Sequence, residues 1–139
     1  MFDQFWLFAI FATTVNAGIL YVRAQPRIRA DPSLARGYRQ LILGYVVFLN
    51  LPWLVMGLGG APVEDYVRPT PGDPAIVAFH ASVVLVWIVT TAWLFRGGAE
   101  ILATHPGAMR GIRTPLTVKV GWGLALTGGI VAMSVMWLA

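Results

Sequence analysis

The stretch Gly44–Gly60, GYVVFLNLPWLVMGLGG, decides how the rest of the chain is read. It is apolar enough to cross a membrane, yet Asn50, Pro52 and Trp53 stand near its middle. A helical span needs about 20 mainly apolar residues, and with the preceding Gln40–Leu43 this run is long enough. Proline within a helix has no N–H, and its ring clashes with the carbonyl four residues back. A kink is therefore expected at Pro52, leaving the Phe48 carbonyl in need of another donor, because hydrocarbon offers none.

Working outward, three further apolar runs match it. Four transmembrane helices are expected at about residues 4–22, 40–60, 74–95 and 116–138, forming an all-α, integral membrane four-helix bundle with one membrane domain over 1–139. The composition agrees: 58% of residues are hydrophobic and 12% charged, against the roughly 25% charged of a soluble domain. The first run lacks the basic leader and small-residue cleavage site of a secretory signal, so it is expected to stay in the mature protein.

The connections set an orientation. Residues 23–39 carry Arg23, Arg27, Arg29, Arg36 and Arg39 against Asp31 alone, and residues 96–119 carry Arg96, Arg110, Arg113 and Lys119 against Glu100. By the positive-inside rule both are cytoplasmic. Residues 61–73 hold Glu64, Asp65 and Asp73 against Arg68 and are stiffened by prolines, which suits the outside. The expected topology is N-out/C-out, with Ala139 outside, in a bacterial inner membrane. The basic pI near 10.1 follows from these orientation charges, and no nucleic-acid partner is expected. Phe2, Phe5, Trp6 and Phe8 mass at the start of span 1, as aromatic rings do at a headgroup interface. Asp31–Pro32 and Asp73–Pro74 each read as an N-cap followed by a first-turn proline. Gly97–Gly98 reads as a helix stop, and the AEILATH piece after it as a turn or two of helix on the membrane surface.

The chain has no cysteine, which removes disulfides, thiolate catalysis and Cys-ligated metal centres. No Asp, Glu, Lys or Arg falls deep in a span, so a proton-coupled antiporter with a membrane carboxylate is disfavoured. No nucleophile–base pair, phosphate loop or metal-ligand spacing is present, and no catalytic or metal site is expected.

What remains is a short list of groups inside the spans. His80 lies roughly 9 Å in from Pro74 at 1.5 Å per residue; it is either a ligand for a haem, chlorophyll or quinone or a neutral histidine bonded to Ser134. Trp53 and Trp87 are either packing or an aromatic face for a ring-shaped ligand. Asn16, Asn50 and Thr127 fall at middle depths and read as an intramembrane polar cluster, helix-to-helix glue or the lining of a path beside Pro52. Ala9, Ala12, Thr13, Asn16 and Leu20 recur at helical spacing as a small, polar face of span 1. Gly121, Ala125 and Gly129 form a small-xxx-small row on span 4 that lets another helix approach closely. His105–Pro106–Gly107 reads as a turn, and Glu100 as a surface partner of Arg96. The cofactor is left open.

The function these residues favour is a small accessory or structural subunit of a larger membrane complex, respiratory or photosynthetic in kind. It would contact the lipid bilayer and dock through small-residue faces to other membrane subunits or to itself as a homo-oligomer. The alternatives are an oligomeric small channel or transporter using Asn50, the Phe48 carbonyl and Asn16, and a pigment- or quinone-binding protein using His80.

Overall fold

The computed structural model describes residues 4–108 and 114–138. Phe2, Arg110, Arg113 and Ala139, which enter the reading above, lie outside the described residues. Among the described residues all regular structure is helical. Four helical stretches, Phe5–Ala30, Pro32–Gly59, Pro74–Thr104 and Pro115–Leu138, are long and apolar enough to cross a membrane, with mean hydropathy between 1.5 and 2.1.

Helix α1, Phe5–Ala30, runs two turns beyond the expected end at residue 22 and passes through Pro26. Pro26 falls past the end of the apolar run, where water or headgroups can serve the Val22 carbonyl that loses its donor. Arg27 and Arg29 in the last turn also complement the negative end of the helix dipole. The Asp31 carboxylate then accepts the Ser33 N–H at 3.0 Å and caps a short 3₁₀ turn, Pro32–Leu34. The Ser33 hydroxyl and N–H together hold the Asp31 carboxyl below its ordinary pKa.

Helix α2, Ala35–Val47, leads into the decisive stretch. The kink expected at Pro52 is a helix end and a fresh start: the N–H groups of Phe48 and Leu49 both point to the Gly44 carbonyl, at 2.9 and 3.4 Å, and α3, Leu51–Gly59, begins anew. Pro52 thus occupies a first turn, where a missing N–H costs nothing. The Phe48 carbonyl accepts the Leu51 N–H at 3.3 Å, so it is not an orphan.

The acidic connection contains a short helix, α4, Val63–Val67, that the prolines had concealed. Glu64 and Asp65 stand in its first turn, the favourable end for negative charge. Helix α5, Pro74–Trp93, is capped by Asp73, whose carboxylate accepts the N–H groups of Ala75 and Ile76 at 2.8 and 3.4 Å. A wider turn follows at Leu94–Gly98, where Gly97 takes φ 107°, a conformation that any side chain would strain. Helices α6, Ala99–Thr104, and α7, Pro115–Leu138, complete the order.

Two apolar clusters hold the ends of these helices. At the end bearing the acidic connection, buried Met56, Tyr66 and Ile76 gather Trp6, Trp53, Phe79 and Trp137 around them. At the basic end, Leu94, Ala99 and Val118 pack with Trp93, Leu102 and Trp122. Helix α6 is correspondingly no surface helix: Ala99 is fully buried, and Ile101 occupies the space over Gly37 of α2. Glu100 pairs with Lys119 at 3.5 Å rather than with Arg96, because packing α6 on α7 brings that ammonium nearer. The same ammonium lies 5.6 Å from the Phe95 ring centroid.

Candidate functional site

The polar centre of the decisive stretch is Asn50, which is buried. Its Nδ2 donates to the Val46 carbonyl at 2.9 Å and to the Thr14 hydroxyl at 3.2 Å, and the Thr13 hydroxyl donates to its Oδ1. The side chain therefore serves a carbonyl at the helix break and ties α1 to α2 and α3. The expected partners stand elsewhere. Asn16 is exposed and bonds no described residue, and the Thr127 hydroxyl bonds back to Gly123 of its own helix at 2.9 Å. The expected small face of span 1 also divides: Ala9 and Leu20 are buried and Thr13 is bonded, whereas Ala12 and Asn16 face outward.

His80 is buried and sits between Phe79 and Trp137, whose rings approach edge-on at 5.2 and 5.3 Å. Its Nδ1 lies 2.9 Å from the Ile76 carbonyl. A carbonyl only accepts, so Nδ1 carries a proton, and in the neutral ring Nε2 holds the lone pair. Ser134 is not its partner: the carbonyl one turn back on α5 is nearer, and Ser134 faces a groove. Nε2 bonds no described group and is not sealed from the surface.

The two tryptophans do not share a face. Trp53 belongs to the acidic-end cluster, with the Phe5 ring edge-on at 5.6 Å. Trp87 lies against α7, its ring 2.7 Å from where a Cβ on Gly129 would sit. Trp93 and Trp122, by contrast, join Trp87 around one cavity of about 800 Å³ between α2, α5 and α7. Trp122 donates its Nε1–H to the Thr91 hydroxyl at 2.9 Å.

Helix α7 is the least covered of the four. Over its most apolar stretch none of its residues is buried. Among the described residues, nothing lies within 4 Å of the position a Cβ would take on Gly121, Gly123 or Gly128. In the row expected to admit a close helix, Gly121 and Ala125 border the 800 Å³ cavity, and Gly129 alone meets a neighbour, Trp87. A second groove of about 840 Å³ opens on the other side of the α5–α7 contact, bordered by Ile88, Ile130 and Trp137. Side chains therefore bridge α7 to α5 at intervals while the space between is unfilled.

One buried group was not foreseen. His105 follows α6 in the expected turn, but its ring folds inward and is 4% exposed. Nε2–H donates to the Leu20 carbonyl at 3.1 Å, Nδ1 accepts the Gly107 N–H at 3.1 Å, and the Tyr38 ring stands edge-on at 4.9 Å. Tyr38 in turn donates its hydroxyl to the Thr104 carbonyl at 3.1 Å. Burial, with a further push from the Arg23 guanidinium, holds the His105 pKa below its ordinary value against the opposing bond to Leu20. No periodicity or spacing carries this contact, which joins residues 85 positions apart.

Comparison with protein-family models, with curated proteins and with solved structures returns no match to this chain.

Proposed function

We propose that this chain is a small integral membrane subunit whose work is to dock, through α7 and the grooves beside it, against a transmembrane helix of a larger assembly. The observation that carries this reading is the uncovered α7, with three glycines that meet no neighbour among the described residues. In bilayers close helix association is driven by packing of small residues and by interhelical hydrogen bonds rather than by exclusion of water. A glycine-bearing helix with unfilled grooves on both sides provides the first of these. The four spans would form an antiparallel bundle, N-out and C-out in a bacterial inner membrane, with residues 23–39 and 96–119 cytoplasmic and 61–73 outside, as the loop charges favour.

The test exploits the absence of cysteine. Single-cysteine variants Gly123→Cys and Gly128→Cys are labelled with a bilayer-permeant maleimide, once in native membranes and once after purification in a dissociating detergent. Labelling that is slow in membranes and fast in detergent is expected. Equal rates in both states would refute the docking reading. The channel reading loses support from the polar centre, since Asn50 and the Phe48 carbonyl already have partners within the chain.

A second reading rests on the His80 ring. Donation of Nδ1–H to a backbone carbonyl fixes the tautomer and orientation common to metal-ligating histidines, and Nε2 would be the atom to hold the metal of a tetrapyrrole. Purified protein with a visible absorption band that His80→Ala abolishes would establish this reading. Colourless protein, purified gently and unchanged after incubation with haem, would dismiss it.

A further inference from the structure

Asn16 is a side chain whose chemistry is unanswered. Its amide offers two donors and an acceptor, it is exposed on α1, and it bonds no described residue, while the neighbouring Thr13 and Thr14 are engaged with Asn50. It lies seven residues before Arg23, roughly 10 Å from the basic end at 1.5 Å per residue, so hydrocarbon surrounds it. Acyl chains cannot serve an amide, and such side chains pair across helices. Ala12, Asn16, Ile19 and Arg23 follow one another at intervals of four, three and four residues, the seam spacing of a left-handed helix pair. Ala12, Asn16 and Ile19 are all exposed, beside the buried stripe of Ala9, Ala17, Leu20 and Ala24 that faces the rest of the chain.

We propose that this face of α1 is a two-fold interface between two copies of the chain, closed by an Asn16–Asn16 amide pair. Three arguments select a second copy over other occupants. Copies inserted in the same direction carry Asn16 at the same depth, so a two-fold axis along the bilayer normal brings the two amides together without any search for register. A primary amide is self-complementary: each can donate an N–H to the oxygen of the other, as an asparagine at a seam position does in parallel helix pairs. Ala12, one turn away, lets the backbones approach closely enough for those bonds. Arg23, the next seam position, lays its side chain over Gly107 and beside His105 of its own chain, so the pairing is confined to Ala12, Asn16 and Ile19. This face is on a different helix from the docking surface on α7, and neither reading depends on the other.

Disulfide formation in native membranes tests the proposal. Ala12→Cys and Ile19→Cys lie on the proposed face, and Gly18→Cys and Tyr21→Cys on other exposed faces of α1. On oxidation, the first pair is expected to give disulfide-linked pairs of the 15.1 kDa chain, and the second pair only background. Equal yields at all four positions, no product at Ala12 and Ile19, or linkage there only to another protein would overturn it. Energy transfer between labelled copies diluted in liposomes gives the independent readout. Asn16→Leu is expected to raise the dissociation constant about ten-fold, the effect of losing an interhelical amide pair, and Asn16→Gln to recover most of it. An unchanged dissociation constant in Asn16→Leu would overturn the proposal. Asn16 bonds no described residue, so neither variant removes a described hydrogen bond of the fold.

Discussion

Replacing Asn50 by leucine removes three hydrogen bonds while nearly conserving volume: two donated by its amide and one accepted from Thr13. The losses are unequal. The single Thr13 O–H, freed from Asn50, can turn to the Ala9 or the Ile10 carbonyl, 2.9 and 3.0 Å away, and Thr14 can turn to its own helix, so neither is stranded. The Val46 carbonyl is different, because it sits at the helix break and the Asn50 side chain is what serves it. An acceptor stranded away from water costs about 1–3 kcal/mol, and interhelical bonds in bilayers average about 0.6 kcal/mol with an upper range near 1.7. Asn50→Leu is therefore expected to destabilise by about 2 kcal/mol. The assay is unfolding in mixed micelles of increasing SDS fraction, followed by the fluorescence of the six tryptophans. A cycle with Thr13→Val is expected to show a coupling of about 0.6 kcal/mol. Thr127→Val, which removes one back-bond on an exposed face, is expected to change stability by less than about 0.5 kcal/mol. An Asn50→Leu protein as stable as the parent would refute the view that this amide holds the break together.

Three further outcomes follow from the same geometry. His105 has a lowered folded pKa, so below its ordinary value of 6.5 the unfolded chain binds more protons than the folded one. Stability is thus complete above about pH 6.5 and is lost as pH falls through the lowered folded value. Protonating Nδ1 also breaks the bond from Gly107, while Arg23 and Tyr38 stand beside the ring. Melting temperature against pH should show this loss and His105→Asn should flatten it; the same slope in both proteins contradicts the assignment. Gly57→Val places a side chain into the Trp6 ring that covers Gly57 and should destabilise by about 1–3 kcal/mol, read in the same SDS titration, with no change counting against that packing. Removing the half-exposed Glu100–Lys119 pair by Glu100→Gln should change stability by less than about 1 kcal/mol, and a larger loss would mean that the pair does more than sit on the surface.

Much of the fold was written locally. Asp31–Pro32 and Asp73–Pro74 announce helix starts because a carboxylate and a proline satisfy the first turn within a few residues. Pro52 announces the break and Gly97 the stop for equally local reasons. The candidate site was legible only in height. Counting residues places Asn16, Asn50 and Thr127 at similar depths, but depth does not fix direction around a helix. Thr13 and Asn16 differ by three residues, about 60° around the axis at 3.6 residues per turn, and that angle decides which of them meets Asn50. The His105–Leu20 bond and the Glu100–Lys119 pair depend on how distant helices settle, and no local pattern carries them. Helix α4 was hidden because prolines at 62, 69 and 71 mark the connection as turn-like, although Pro62 also stands just where a helix begins.

The docking account is tested most directly by the mass of the particle released from native membranes by a mild detergent, measured by native mass spectrometry. It predicts an assembly containing this 15.1 kDa chain together with at least one other membrane protein in fixed ratio. A particle made solely of the chain itself, as one copy or a simple multiple, would contradict it.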